Sequence, residues 1–294
     1  MTASGRPAAR PLEGIGRFLE IQTLGLNLSF AVAFLLLASG GWPSVRTTVL
    51  VIVAFVAARN AGHSFNRWAD RRYDAENPRT RDRALVTGQR SPAFALGVTA
   101  GSAGVLLLAA YLLNPLAFVL APVALALLLG YSYTKRVTSW TTPFLGLVQG
   151  IAPAAIYIAV QGTLPPDVLL AVGALVAWGT AFETVHSLGD VTSDRRLGLF
   201  SLPVALGERT AARLVPVLHA VALLLFVAFG AAVRLADPYY VALVGMAALA
   251  AWTDWILARR PAEPRVPFEL HFALGVLYLG GVVAALLAGA GVTL

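Results

Sequence analysis

The chain has 294 residues, of which 58% are apolar and 13% are charged, and its mean hydropathy is +0.74. An average soluble domain carries about 25% charged residues, so this composition excludes a disordered chain and argues against a soluble globular protein. The absence of cysteine excludes disulfides, cysteine zinc sites and thiol nucleophiles. A net charge of +7 on so apolar a chain indicates basic loops beside a membrane, and we expect no nucleic-acid partner.

We count nine apolar segments that are each long enough to cross a bilayer, which takes roughly 20 mostly apolar residues. In chain order they lie at about 22–40, 47–66, 92–112, 115–132, 141–160, 167–187, 211–232, 237–257 and 269–291. The sequence therefore predicts an all-α integral membrane protein, a bundle of nine transmembrane helices. An N-terminal segment over 1–21 precedes one transmembrane domain over 22–294, and no cleavage site follows the first apolar run.

The basic residues alternate between the two sides of this predicted bundle. Nearly all of them lie in the N-terminal segment and in the loops after the even-numbered spans; Arg46, Arg59 and Arg234 are the exceptions. Positively charged loops face the cytoplasm. The sequence thus predicts a multi-pass protein of the cell (inner) membrane, with a cytoplasmic N-terminus and an outer C-terminus.

Polar side chains recur at helical spacing at the end of the second predicted span. Successive steps of 4, 3, 4 and 4 residues separate Arg59, His63, Asn66, Asp70 and Asp74. At about 100° per residue, these side chains fall within about 80° of one helix face if the helix continues that far. One face of a membrane helix is therefore predicted to carry a base, an amide and two acids.

The end of the sixth predicted span repeats this pattern. Glu183, His186, Asp190 and Asp194 also fall within about 80° of one face of a continuous helix. Ionisable residues at membrane depth are costly, so they are candidates for function. Because both polar faces end on the cytoplasmic side, we expect them to share one active-site cavity there.

The residue types indicate the chemistry of that cavity. Two pairs of aspartates at four-residue spacing suit Mg²⁺, which binds one or two protein carboxylates and completes its shell with water and phosphate oxygens. Nearby arginine and lysine would bind the remaining phosphate oxygens. The expected ligand is a Mg²⁺-bridged diphosphate that carries a lipid tail, with Mn²⁺ as a substitute metal.

Other interpretations of these residues remain open at this point. Acids and bases at helix ends also form structural ion pairs, and His63 and His186 are also explained as structural residues. A secondary transporter would place ionisable residues near the bilayer midplane and show an internal repeat. A further alternative is a membrane scaffold with a degenerate site, but all four aspartates are intact, which argues against degeneration.

Three segments resemble the conserved regions of a known family, the UbiA superfamily of intramembrane prenyltransferases. The stretch from Arg59 to Thr80, with Asn66, Asp70 and Asp74 at four-residue steps, resembles its first signature. The second signature and the middle conserved region are matched, in the same order, by 190–207 and by 131–136 with Gly146 and 150–153. The resemblance covers nearly the whole chain and implies a fold of nine transmembrane helices.

The resemblance implies transfer of a prenyl group from a polyprenyl diphosphate to an acceptor, and it assigns roles to individual residues. The expected Mg²⁺ ligands are Asn66, Asp70, Asp74, Asp190 and Asp194. The expected diphosphate-binding residues are Arg67, Arg71, Lys135 and Arg136. Arg59 would hold either the acceptor or the diphosphate, and the expected pocket residues, which offer π faces to an allylic cation, are Tyr131, Tyr133 and Tyr157.

Within the family, the sequence looks like the quinone branch, whose members prenylate 4-hydroxybenzoate or related aromatic acids. Asn66 is followed by Arg67, and Asp74 opens the run Asp-Ala-Glu-Asn-Pro-Arg-Thr, as in that branch. The sequence departs from the branch at His186, Thr142 and His271, where Tyr, His and Asn are common. These departures bear on the acceptor, and a glycerolipid acceptor remains the alternative. The implied partners are a prenyl diphosphate lipid, a small aromatic acid and membrane lipid.

Overall fold

The structure is a computed structural model that describes residue 18 and residues 24–260 and 265–289. These residues form helices and connecting loops, with no strand among them. The twelve helices are α1 Leu24–Ala38, α2 Val45–Glu76, α3 Pro92–Leu113, α4 Pro115–Thr134, α5 Thr141–Gly150, α6 Ala152–Gln161, α7 Val168–Leu188, α8 Val191–Leu197, α9 Leu202–Leu206, α10 Glu208–Ala232, α11 Asp237–Arg259 and α12 Arg265–Leu287. The predicted all-α membrane fold is confirmed.

Eight membrane spans are long and apolar enough to cross a bilayer within the described residues, with α5 and α6 counted together. They coincide with the second to ninth predicted segments. The first predicted segment corresponds to α1, whose 15 residues include a shorter apolar stretch at Leu28–Ala38, and residues 19–23 beside it lie outside the described residues. The count of nine, the membrane orientation and the boundary at residue 22 therefore stay predictions.

The first polar face, which runs from Arg59 to Asp74, lies on helix α2. This helix runs unbroken for 32 residues, well beyond the predicted end of the span at 66. Asp70 and Asp74 therefore share one helix with Arg59 and Asn66, as the spacing requires. The helix ends at Asn77, whose backbone N–H bonds the carbonyl of Asp74, because Pro78 follows and disfavours helical backbone at the residue before it.

The second polar face was predicted to carry Glu183, His186, Asp190 and Asp194 on one continuous helix, and this prediction is wrong. Helix α7 ends at Leu188, and α8 begins at Val191 after a turn at Gly189 and Asp190. Asp190 therefore precedes, and Asp194 lies on, a separate short helix, α8, whose Arg196 donates to the Glu76 carbonyl at the end of α2.

Helices α5 and α7 pack closely against one another at Gly146 and Gly150. A Cβ atom added at Gly146 would lie 2.2 Å from Thr180 Oγ1, and one at Gly150 would lie 2.4 Å from Val176 Cγ2. Small residues allow membrane helices to approach this closely. The fifth predicted span is divided here: α5 ends at Gly150, and α6 starts beside Pro153, which lacks a backbone N–H.

Candidate active site

A cavity of about 440 Å³ lies inside the bundle, between α2, α4, α6 and α7. Most of its wall is aliphatic or aromatic. Its polar lining residues are Arg59, His63, Asn66, Arg67, Arg83, Tyr131, Gln149, Glu183 and His186. Most of these lie towards the C-terminal ends of α2, α4 and α7. We call this side of the bundle, which also carries the four motif aspartates, the Asp side. The cavity is therefore apolar along its length and polar at one end.

Asp70 lies behind this polar end at the junction of α2 and α4. Its side chain is 2% exposed. One carboxylate oxygen accepts from Asn66 Nδ2 at 2.9 Å and from Lys135 Nζ at 2.7 Å, and the other pairs with Arg136 at 3.2 Å. Lys135 and Arg136 follow directly after α4. Two elements distant in sequence thus supply the cations that balance one buried carboxylate.

Asp74 is one helical turn further along α2 and is also buried. Arg83 Nη1 bonds both of its carboxylate oxygens, at 2.8 and 2.9 Å. The Thr80 hydroxyl donates to the Asp74 carbonyl oxygen at 3.2 Å. Arg83 also lines the cavity, so this residue of the loop after α2 both pairs with Asp74 and adds a positive charge to the cavity wall.

Asp190 is held by the same loop that follows α2. Its carboxylate accepts from Asn77 Nδ2 at 2.9 Å and from Arg79 Nε at 2.9 Å, and a second Arg79 nitrogen completes the bidentate pair. Burial alone would raise the pKa of Asp190, but the Arg79 guanidinium and the Asn77 amide hold that pKa below its ordinary value. The first and second Asp motifs are therefore joined through the loop 77–91.

Asp194 lies one turn after Asp190, on α8. Burial, reinforced by the neighbouring Asp190 carboxylate, raises the pKa of Asp194 to about 6, although Lys135 and Arg79 act in the opposite direction. Lys135 therefore contacts Asp70 directly and also favours the ionised form of Asp194. Phe200 N–H also donates to the Lys135 carbonyl at 2.7 Å, which ties the loop after α4 to the segment after α8.

The structure brings together most of the residues expected in the site. Asn66, Lys135 and Arg136 contact Asp70 behind the polar end of the cavity. Arg83 and Arg79, in the loop 77–91, contact Asp74 and Asp190 respectively, and Arg59 and Arg67 line the cavity. Arg71 lies outside the cavity: its guanidinium bonds the Trp68 carbonyl at 2.7 Å and lies over the Trp68 ring.

The three tyrosines are separated by the fold. Tyr131 lines the cavity, and its hydroxyl donates to Glu183 at 3.4 Å. Tyr133 lies outside the cavity beneath the Arg136 guanidinium, 4.6 Å from it. Tyr157 is fully buried in the hydrophobic core and does not line the cavity. Of the three, Tyr131 is the one that lines the cavity.

Arg79, Arg83 and Asn77 are the partners of the aspartates that sequence reasoning missed. Their signal was present, because the run from Asn77 to Arg83 holds three arginines directly after the first motif. Glu183 and His186 were recognised as part of a polar stripe but not assigned to the site. Glu183 accepts from Tyr131 and lies 3.3 Å from His186 Nδ1, so the three form one polar group on the cavity wall.

The donor set fits a divalent metal ion. The four aspartates offer hard carboxylate oxygens, which Mg²⁺ prefers, and they lie on α2 and at the start of α8, which the loop 77–91 links. Among the described residues, no three acidic or imidazole groups are close enough together to hold a metal ion, and cations pair with three of the carboxylates. These cations, Arg79, Arg83 and Lys135, are partly exposed.

Comparison with known proteins identifies the family. Residues 27–275 match the model of the UbiA prenyltransferase family. The 4-hydroxybenzoate octaprenyltransferase of Alkalilimnicola ehrlichii is 31% identical over 250 residues, covering 83% of this chain and 84% of that enzyme. The 4-hydroxybenzoate octaprenyltransferase of Nitrosococcus oceani is 32% identical over 248 residues, covering 84% of this chain and 86% of that enzyme.

Solved structures agree with this result. The apo structure of a UbiA homologue from Aeropyrum pernix K1 superimposes with a TM-score of 0.82 at 29% identity, over 90% of this chain and 98% of that chain. A UbiA homologue from Archaeoglobus fulgidus bound to GPP and Mg²⁺ has the same fold, with a TM-score of 0.72 at 20% identity over 92% of this chain and 99% of that chain. A family match across this much of the chain means that the protein belongs to the UbiA prenyltransferase family.

Proposed function

We propose that this UbiA-type prenyltransferase transfers a prenyl group from a polyprenyl diphosphate to a small aromatic acid, with 4-hydroxybenzoate the leading candidate, and that the reaction requires Mg²⁺. One observation carries the proposal: two Asp clusters are paired with cations next to an otherwise apolar cavity, and one of these cations, Arg83, lines the polar end of that cavity. The placement suits a substrate with an anionic head and a long hydrocarbon tail.

The diphosphate end is held by the Asp side of the bundle. Asn66, Asp70, Asp74, Asp190 and Asp194 would hold Mg²⁺, which when bound neutralises the charge of the leaving diphosphate. Lys135, Arg136, Arg79 and Arg83 already contact these carboxylates, and each can turn its remaining donors to phosphate oxygens. Cations fixed where negative charge develops lower the barrier to ionisation.

The apolar part of the cavity protects the other product of ionisation. An allylic cation is trapped as an alcohol when water reaches it, so its pocket must exclude water. The wall between α4 and α6 supplies aliphatic side chains such as Leu128, Ala155 and Ile158, and Tyr131 adds one aromatic face close to the polar end. A ring face attracts a nearby cation.

Arg59 is placed to select the acceptor. It is buried, lines the cavity and precedes Asn66 by seven residues, which is two turns of α2. A guanidinium binds a carboxylate in a bidentate, planar geometry. An aromatic acid held there would direct its ring towards the ionising end, where a ring carbon bonds the prenyl carbon, the diphosphate leaves and the ring proton is lost.

The relatives support the acceptor class. The similar enzymes named above act on 4-hydroxybenzoate by name, and the homologue structure with GPP and Mg²⁺ supports a metal-bridged diphosphate. Membership of a prenyltransferase family also argues against the alternative that the chain is a secondary transporter.

The alternative of a glycerolipid acceptor is tested directly. Purified protein is given a polyprenyl diphosphate and a panel of aromatic acids and glycerol phosphate lipids, and the products are identified by mass spectrometry. Prenylation of the glycerolipid alone would contradict the proposal.

We expect Arg59→Ala to raise the Michaelis constant for the aromatic acid at least about tenfold while changing that for the diphosphate little, because a charged hydrogen bond contributes about 1.5–3 kcal/mol. Steady-state kinetics with each substrate varied in turn measures both constants. Arg213→Ala, an exposed arginine of α10, is the matched control and should leave both unchanged. The opposite pattern in Arg59→Ala would move Arg59 to the diphosphate.

Lys135→Ala should impair use of the diphosphate substrate. The Lys135 ammonium contacts Asp70 at 2.7 Å and reaches the Asp194 region, so its loss should weaken use of the diphosphate about tenfold or more. The measurement is kcat/KM for the diphosphate at saturating acceptor. Lys135→Arg keeps the charge and should recover part of the loss. If Lys135→Ala leaves both KM and kcat at wild-type values, Lys135 serves membrane topology alone.

A further inference from the structure

A second concave site lies on the Asp side of the bundle, outside the cavity. This arginine cleft has a volume of about 630 Å³ and shares no lining residue with the cavity. Its lining includes Arg71, Arg72, Arg136 and Arg196, with Glu76 as the acidic residue among them. Arg136 is paired with Asp70, but Arg71, Arg72 and Arg196 face the single acid Glu76, so the cleft carries an excess of positive charge.

Three of the four arginines are held in place by contacts with the protein. Arg71 donates to the Trp68 carbonyl and Arg196 to the Glu76 carbonyl, and Arg136 donates to the Ala69 carbonyl at 3.0 Å and pairs with Asp70 at 3.2 Å. Each guanidinium has five N–H donors, so Arg71 and Arg196 keep most of theirs for a ligand. Arg71 lies over the Trp68 ring, and Arg136 over the rings of Tyr73 and Tyr133.

Guanidinium groups fixed in this way recognise phosphate, because their planar donor pairs match phosphate oxygens. A single phosphate with its polar substituents fits easily within the cleft volume. The ligand chemistry is therefore a phosphate group, either free in solution or in the head group of a lipid.

The surroundings of the cleft favour a lipid as the source. Tyr133 on its wall is 42% exposed, and Val137 and Trp140 in the following loop are 75% and 73% exposed. Tryptophan and tyrosine collect at the level of the lipid head groups, and an exposed valine beside them contacts acyl chains. Phosphate-binding arginines thus adjoin a surface suited to the membrane interface.

We propose that the arginine cleft binds the phosphate head group of an anionic phospholipid in the leaflet on the Asp side. This inference does not depend on the acceptor or on the metal of the proposed reaction. It also explains Arg71, which the sequence placed with the diphosphate and the structure places in the cleft.

The test measures binding without substrates. Full-length protein is purified in detergent, stripped of lipid, and titrated with dioctanoyl phosphatidylglycerol, dioctanoyl phosphatidylcholine or inorganic phosphate, with occupancy read by native mass spectrometry. We expect phosphatidylglycerol to bind more tightly than phosphatidylcholine, and inorganic phosphate to displace neither. The double variant Arg72→Gln/Arg196→Gln should weaken phosphatidylglycerol binding by about fivefold per arginine, or roughly 25-fold.

Arg209→Gln/Arg213→Gln is the matched control, because both arginines are exposed at the start of α10 and lie outside the cleft. It should bind phosphatidylglycerol as the wild type does. If the cleft variant does not fold, as judged by its melting temperature, the single variants Arg72→Gln and Arg196→Gln replace it. Wild-type affinity in the cleft variants, equal binding of the two lipids, or displacement of phosphatidylglycerol by inorganic phosphate would each overturn the proposal.

Discussion

Asp70→Asn should lower kcat for prenyl transfer by about 10²- to 10³-fold or more. Asp70 is the most enclosed of the four motif aspartates by its contacts, since Asn66, Lys135 and Arg136 all bond its carboxylate. Asparagine preserves the shape and can still accept a hydrogen bond from Lys135, but it removes the negative charge and weakens any bond to a metal ion. The measurement is single-turnover product formation at saturating substrates.

Asp194→Asn should give a comparable loss by the same argument, since Asp194 lies beside Asp190 in the second cluster. Asp70→Asn should still fold, because its partners Lys135 and Arg136 are partly exposed and water can solvate them, and Asp194→Asn should fold because Asp194 is itself partly exposed. Asp167→Asn is the matched control: it is exposed beside the first turn of α7, makes no capping bond and lies far from the Asp side. Wild-type turnover in Asp70→Asn would remove the first cluster from the reaction.

Removal of divalent cations should abolish turnover and leave the fold intact. Three of the four carboxylates are paired with Arg79, Arg83, Lys135 and Arg136 when no metal is bound, so we expect the loops to stay ordered without it. Purified protein treated with EDTA should lose activity, and excess Mg²⁺ or Mn²⁺ should restore it. EDTA already saturated with Mg²⁺ is the control for nonspecific effects. Activity that survives thorough chelation would contradict the metal assignment.

The sequence was sufficient where structure depends on local periodicity. Long apolar runs predicted the helices, and the spacing from Arg59 to Asp74 correctly predicted one polar face because α2 is continuous to Glu76. The same spacing rule failed from Glu183 to Asp194, since the turn at Gly189 and Asp190 interrupts the helix. Spacing alone cannot distinguish these cases, because the turn is stabilised by contacts between Asp190 and residues of the distant loop 77–91.

Hydropathy also does not tell which face of a membrane helix lines a cavity. A helix that meets lipid on one side and protein on the other is apolar all round, so Tyr131, Tyr133 and Tyr157 looked equivalent in the sequence. In the fold, Tyr131 reaches the cavity, Tyr133 faces the arginine cleft and Tyr157 packs in the core. The partners of the aspartates were missed for a related reason: Arg79 and Arg83 lie in a loop whose course depends on tertiary contacts.

If the Asp clusters promote ionisation of a prenyl diphosphate beside a bound aromatic acid, the acid should lose a ring proton for each prenyl group that it gains. The test reconstitutes the purified chain in vesicles with Mg²⁺, a polyprenyl diphosphate and ring-deuterated 4-hydroxybenzoate, and follows the products by mass spectrometry. We expect a prenylated acid that has lost one ring deuterium and retains its carboxylate, with one diphosphate released per product. Release of diphosphate with prenyl alcohol as the sole organic product would contradict it.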